Sequence, residues 1–376
     1  MNTFFNLIQD VQKPGLCHRC GGCVTFCTAV NYGALDLDED GKPRFANIEK
    51  CIECGLCYSI CPEIDMLDEE TRRRAAWSAP IGRVFETTVA RSTDAAIQAK
   101  ATDGGVVTAL LAHLMDRGRI DGAIVAKQVG PFQRRPFLAT TVAQVMEGAG
   151  FFFDTAHGMK TFSDMYMTYS SIEEFDPMMR KGLNRVALVG TPCQIQSVRR
   201  MQAMGLVPSE SIKYCLGLFC TGNFVFGDAQ KAELARMGEF DWDNVHKINV
   251  KDHLLVHLTN GQKKAIDIEG LDFMKRHACR YCPDYSAEFA DVSFGGVGAA
   301  EGWTTVITRT PLGRAILADA RGFGVVEDFA YDDNPNFASE ALAKVRHHSA
   351  AKKKAARLNR RELGSRPAGL GARRKG

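Results

Sequence analysis

Cys17-x-x-Cys20-x-x-Cys23-x-x-x-Cys27 recurs as Cys51-x-x-Cys54-x-x-Cys57-x-x-x-Cys61-Pro62, so eight of thirteen cysteines fall within the first 75 residues. Such a run, repeated once, is the ligand spacing of a bacterial two-cluster ferredoxin. Three closely spaced thiolates wrap three corners of a cubane, and the fourth cysteine reaches the neighbouring cluster. The expected sets are therefore Cys17, Cys20, Cys23 and Cys61 for one 4Fe–4S cluster and Cys51, Cys54, Cys57 and Cys27 for the other. Gly21, Gly22 and Gly55 let backbone amides approach the sulfides. Thr28 stands where a proline usually follows the first box, which leaves the ligands untouched. Structural zinc uses two separated pairs instead. Two adjacent clusters make a wire.

The remaining chain must then fold around that wire. At 376 residues and 45% hydrophobic it can bury a large core, which favours two or more domains. No apolar run approaches the ~20 residues of a membrane helix. The opening "MNTFFNLIQDVQKPGLC" has no basic, apolar and small-residue succession of a signal peptide, so a soluble cytoplasmic protein is expected. In that compartment thirteen cysteines mean metal or redox chemistry, not disulfides. Charge is uneven. From Val345 onward there are eleven Lys/Arg and one Glu, a charge of +10, so with +3 overall residues 1–344 carry −7. A basic tail without aromatics beside two clusters does not suit nucleic acid; docking on an acidic partner subunit, or solubility, does.

Three regions follow: a cysteine domain over 1–75, an α/β domain over 80–330, and a Gly-, Pro- and Lys/Arg-containing tail over 331–376 expected to be partly disordered. "DGAIVA" (121–126), "RVALVG" (185–190) and "KYCLGLFC" (213–220) read as short buried strands. "GVVTALLAHLMDRG" and "CQIQSVRRMQAMG" carry helical apolar spacing and end in glycine. Alternation of this kind implies an α/β fold with a largely parallel or mixed sheet. "KINVKDHLLVHLTNGQKKAI" reads as a β-hairpin added to it, turning at Asn260–Gly261.

Asp103-Gly104-Gly105 opens the first of those helices, where free amides and the helix dipole suit a phosphate, although Gly-Gly also marks ordinary helix starts. Gly295-Gly296-Val297-Gly298 after "ADVSF" misses the dinucleotide G-x-G-x-x-G spacing by one residue, and no Walker loop occurs. A nicotinamide site is thus not supported. Thr191-Pro192-Cys193 forms a strand-to-helix turn, where a thiolate is stabilised. If its strand and the one ending near Cys220 are parallel neighbours, both cysteines emerge at the carboxyl edge where α/β sheets bind ligands.

Taken together, "ARSTDAAIQAKATDGGVVTALLAHLMDRGRIDGAIVA", "VALVGTPCQIQSVRR", "GLFCTGNF" and "ACRYCPDYSAEFADVSFGGVGAAEGWTTVITRTPLG", over roughly residues 85–315, resemble the β-subunit family of the coenzyme F420-reducing hydrogenase and the archaeal formate dehydrogenase. Input subunits of dehydrogenases that oxidise reduced F420 are relatives, and 128–184 match only loosely. The resemblance implies an oxidoreductase subunit with FAD in the α/β domain, a 4Fe–4S cluster beside it and F420 as substrate. A partner would be a catalytic α subunit or a heterodisulfide-reductase-type complex, with any membrane reached only through that complex. Carried over by position, Asp103, Gly104, Gly105 and Thr108 would lie at the FAD phosphates. Gly190, Thr191, Gly222 and Asn223 would line the flavin, and Gly295, Gly296 and Gly298 another wall. Lys251 precedes Asp252 where the resemblance implies Lys-Gly, so no nucleotide contact is assigned to it. No acid–base dyad is nominated. A ferredoxin-dependent flavin reductase of another substrate, as in the related hydroxymethyl-chlorophyll reductases, and a pure relay subunit are the alternatives.

Cys279-x-x-Cys282 remains, with Cys193, Cys215 and Cys220 as possible partners. Cys215 and Cys220 are five apart, and odd spacing on a strand points two side chains to opposite faces. Hence a third 4Fe–4S cluster on Cys193, Cys220, Cys279 and Cys282 is expected, as the resemblance also implies, with Cys215 a small buried hydrophobe. Zinc is the competing reading of that pair. His113 is expected to pack, and His246, His253 and His257 have no ligand spacing. Phe151–Phe153 read as core and Thr71–Arg74 as a solvated linker.

Overall fold

The computed structural model describes residues 2–29, 33–38, 42–130, 133–150, 181–206, 209–225, 227–330 and 334–365. Phe151–Phe153 lie outside these. The cysteine domain is built from α1 (Phe4–Leu7), α2 (Gly22–Ala29), a two-stranded ribbon β1 (Leu35–Leu37) and β2 (Pro43–Phe45), α3 (Leu56–Ser59) and α4 (Asp68–Arg74). Its core is small: Phe4, Leu7, Val11 and Leu16 pack against the cysteines themselves. Thr71–Arg74, expected as a linker, closes α4. Thr71 is buried, and Arg73 and Arg74 pair with Glu70 at 2.7 and 2.5 Å.

The second domain runs β3 (Glu86–Ser92), α5 (Ala95–Lys100), α6 (Val106–Asp116), β4 (Gly122–Gly130), β5 (Gln133–Ala139), α7 (Val142–Glu147), β6 (Val186–Gly190), α8 (Pro192–Ala203), β7 (Ile212–Leu218), α9 (Asp228–Gly238), β8 (Val245–Val250), β9 (His253–Leu258), β10 (Lys263–Asp267), β11 (Val292–Gly295), β12 (Thr304–Thr308), α10 (Pro311–Gly322) and β13 (Val326–Asp328). Eight strands form one sheet in the order β13-β3-β12-β11-β7-β6-β4-β5. β4, β6, β7 and β11 are parallel neighbours and the flanks antiparallel, so the expected mixed sheet is present. The apolar runs have their reason here, because both faces of the central strands are covered. α6 and α10 bury Leu110, Leu114, Ile316 and Leu317 on one face. On the other, Ile195 and Val198 of α8 lie between Val186 and Leu188 of the sheet and Phe26 and Ile60 of the cysteine domain. α8 is thus one layer that joins the two domains.

The β addition is a three-stranded meander, one strand more than the expected hairpin. The Asn260–Gly261 turn joins β9 to β10 as anticipated, with Gly261 at φ +83°. The extra turn falls at Lys251–Asp252, splitting a segment whose alternation reads as one strand.

The tail departs most from expectation. Phe337–Ser365 form one 29-residue helix, α11, where partial disorder was expected. Ala341, Val345, Ser349 and Ala356 recur on one face at helical spacing and are buried, and the Ala, Lys and Arg between them are strong helix formers. Asp252 receives Lys344 at 3.2 Å and His348 at 3.4 Å from α11, which gives the Lys-Asp departure a structural role. Among the described residues no helix is long and apolar enough to cross a membrane.

Candidate functional site

β4, β6, β7 and β11 all end at one edge of the sheet, where an open cleft of about 430 Å³ sits between that edge, the start of α6 and the meander. Asp103, Gly105, Thr108, Gly190, Thr191, Gly222, Asn223, Gly295 and Gly296 line it, as do Val189, Leu218, Phe294 and Leu254. Most of the residues expected around a flavin therefore meet in one place. Two do not line it. Gly104 is packed into the sheet: its N–H donates to Thr304 Oγ1 at 2.9 Å, and a Cβ would sit 2.6 Å from the Ala90 carbonyl. Gly298, at φ +83°, lies under α11, where a Cβ would be 2.6 Å from Ala341. Each is glycine for close packing, a reason the motif does not distinguish from ligand approach.

Gly105 caps α6 at φ +71°, leaving the first-turn amides without intrahelical acceptors. Asp103 beside it is held by Asn249 Nδ2 at 3.0 Å and by Lys251 Nζ at 3.3 Å. Lys251 also donates to the carbonyls of Ala299 (3.3 Å) and Ala300 (2.9 Å), and Lys247 to that of Thr102 (2.7 Å). The meander thereby clamps both glycine loops, a role that alternation alone does not announce. His113 is buried and hydrogen-bonded to Asp319 at 2.8 Å, the expected packing role. His253 pairs with Asp267 at 3.2 Å.

The cysteines gather in three groups. Burial, and after it Cys54, Cys27 and Cys51, pushes Cys57 up to about 12. Burial and then Cys17, Cys20 and Cys61 hold Cys23 well above the ordinary thiol range. The fourth cysteine of each box thus sits with the other box's trio. In the third group Cys193 starts α8, whose Thr191 N–H is capped by Gln194 Oε1 at 2.9 Å. Burial, then Cys20, Cys282 and Cys220, holds Cys193 well above its usual value. Cys279 Sγ accepts from the Asn223 N–H at 3.2 Å, and burial first of all pushes Cys282 up to about 12. Cys215 stands apart in the core, its N–H on Asp291 Oδ2 at 2.8 Å. Buried thiols that raise one another in this way need a cationic centre to ionise. Four grouped thiols fit an iron–sulfur cubane. Among the described residues no three Cys, His, Asp or Glu side chains are set to hold a single metal ion.

The order of the groups matters. Cys220 lines the cleft, Cys193 adjoins Cys20, and Cys23 is within reach of Cys57. A path therefore leads from cleft to third group, to Cys17/20/23/61, to Cys27/51/54/57.

Comparison with known proteins agrees with this architecture. Residues 87–163 and 183–333 match the N-terminal and C-terminal parts of the coenzyme F420 hydrogenase/dehydrogenase β subunit, and residues 9–62 match a 4Fe–4S dicluster domain. The coenzyme F420 hydrogenase subunit beta of Methanothermobacter thermautotrophicus is 31% identical over 76% of this chain and 98% of its own length. The coenzyme F420-dependent sulfite reductase of Methanocaldococcus jannaschii is 32% identical over 82% of this chain, which spans about half (46%) of that protein. A chain of the F420-reducing [NiFe] hydrogenase complex from Methanosarcina barkeri superposes with a TM-score of 0.67 at 26% identity, over 79% of this chain and 98% of that one. With its two β-subunit segments in order behind a dicluster domain, the chain belongs to the coenzyme F420 hydrogenase/dehydrogenase β-subunit family.

Proposed function

We propose that the cleft holds FAD, that coenzyme F420 docks against it, and that Cys193, Cys220, Cys279 and Cys282 hold a third 4Fe–4S cluster. The two clusters of the N-terminal domain would then exchange electrons with a catalytic partner subunit in the cytoplasm. The observation that carries this reading is Cys220, which lines the cleft and belongs to the third cysteine group at once. FAD, when bound, supplies the exchange between a two-electron carrier and one-electron clusters. The chain does the rest. The free amides behind Gly105 offer donors and a positive dipole end to a phosphate. Asp103 stiffens that loop through Asn249 and Lys251. Val189, Leu218, Phe294 and Leu254 give the interior an apolar lining that excludes water.

Anaerobic reconstitution with FAD, iron and sulfide, followed by bleaching at 420 nm with a reduced viologen as donor, tests the activity. Bound flavin without bleaching would instead favour a flavin reductase of another substrate or a relay subunit. Thr108→Trp, on the first turn of α6 and facing the cleft, is expected to reduce flavin from about one per chain to near zero while sparing the fold. Flavin absorbance after extraction measures it, and full retention would remove FAD from this cleft.

A further inference from the structure

α11 lies beyond the match to the C-terminal part of the β-subunit family, which ends at residue 333. It nevertheless crosses all the parts that matter. Arg360 bonds the buried Glu63 at 2.9 Å and the Tyr281 carbonyl at 3.1 Å, and Asn359 bonds the Arg280 carbonyl at 2.8 Å. Between those contacts and Asp252, Lys352 turns its ammonium inward. Nζ donates to the carbonyl of Cys220 at 2.6 Å and to that of Asp284 at 2.8 Å. The Asp284 carboxylate is engaged elsewhere, accepting the Glu288 N–H at 3.2 and 3.1 Å. The adjacent Lys353 does take a carboxylate, Glu288, at 2.5 Å. The described bonds of Lys352 are to carbonyl dipoles alone, and even a half-buried charge in that setting is costly without an anion. The groups it faces are Cys282, Cys220 and Cys279 in that order, and after them Asp284.

We propose that Lys352 is a positioning residue, a fixed cation that raises the reduction potential of the cluster held by Cys193, Cys220, Cys279 and Cys282. The inference rests on the third-cluster reading above. Its physics is simple. Four thiolates leave a cubane net negative, and a gained electron adds one more unit of negative charge. A positive charge held close in a poorly screened interior favours that reduced form. The electron carrier nearest the cleft thereby becomes the better acceptor. Arg276, which also faces Cys279, faces Cys17 and Cys193 as well and so acts between two groups. The thiols that Lys352 faces all belong to the third group, with Asp284 beside them.

The test is an EPR-monitored redox titration of the full reconstituted chain, with mediators, beside an iron count. Lys352→Met and Lys352→Gln are expected to lower the equilibrium constant for one-electron reduction of the third cluster tenfold or more, about 59 mV. The two N-terminal clusters should keep their potentials, and Lys352→Arg should match wild type throughout. Arg360→Met, which loosens the same helix without touching this charge, should also leave the third potential unchanged. A potential in both neutral variants equal to wild type, at full iron, would overturn the proposal. So would loss of about four irons from both neutral variants while Lys352→Arg kept them, since the lysine would then serve assembly and not tuning. A wild-type chain with about eight irons and two EPR signals would instead refute the third cluster itself.

Discussion

Cys220→Ser is expected to leave about eight irons per chain in place of about twelve, while Cys215→Ser keeps them all. Both cysteines come from "CLGLFC", and only their placement separates them. Cys215 is fully buried within β7, packed with Ile195, Val198 and Ala287 on the face toward α8. Its electrostatic neighbours are Arg199 and Asp291, not other thiols. Cys220 lies two residues beyond the strand end, with its N–H on the Tyr285 carbonyl at 2.8 Å and Cys279 close by. A serine hydroxyl at 215 would cost about 1–3 kcal/mol as an unmatched polar group, without reaching a cluster. Iron analysis of the two purified variants decides the matter, and the reverse pattern would overturn the assignment.

Arg200→Met should have the largest effect on stability. This arginine is fully buried on α8. It donates to the Cys61 carbonyl at 2.7 Å, to the Ile64 carbonyl and to the Asp68 carboxylate, all in the cysteine domain. Methionine fills the space but takes the donor away from the Ile64 carbonyl and the Asp68 carboxylate, while the Cys61 carbonyl keeps the Ile64 N–H at 3.0 Å. Asp68 is half-exposed, so the loss is expected at about 2–3 kcal/mol, below the ~3–5 kcal/mol of a pair buried on both sides. The loss is expected in the cysteine domain and its docking, with the sheet domain keeping the flavin proposed for it. Anaerobic urea unfolding, followed by cluster absorbance and flavin fluorescence separately, would show the first transition shifting alone. A shift below about 1 kcal/mol would mean that the domains are joined chiefly by the apolar layer.

Much of this was legible because the decisive patterns are short and local. Cysteine spacing defines which thiols are neighbours whatever surrounds them, and each fourth cysteine does sit with the other trio. The buried strands around Val186 and Cys215 were readable from apolar runs, and α6 and α8 from periodicity. What failed to show depends on partners far away. Gly104 and Gly105 are identical in sequence terms, yet one meets a strand and the other the cleft. Basic composition over 345–376 concealed the buried stripe Ala341, Val345, Ser349 and Ala356; the helical spacing was present and the charges outweighed it. The Lys251–Asp252 turn contains neither glycine nor proline, so nothing local marked the end of β8.

The position of α11 in the chain also has a kinetic side. Its bonds close very long loops: Arg360 reaches Glu63 across 297 positions and Lys352 reaches Cys220 across 132. The entropy of closing a loop grows only logarithmically with length, so these contacts weigh little against the folded state. Contacts so distant in sequence do slow folding, and they tend to form after the local ones. β4, β6 and β7, which pair across far fewer positions, can therefore be in place while the cysteine groups still face solvent. Iron and sulfide would enter during that interval, and the arriving helix would trap whatever had been loaded. In pulse-labelled refolding, amides of α11 should gain protection after those of β6 and β7; simultaneous protection would leave assembly no such interval.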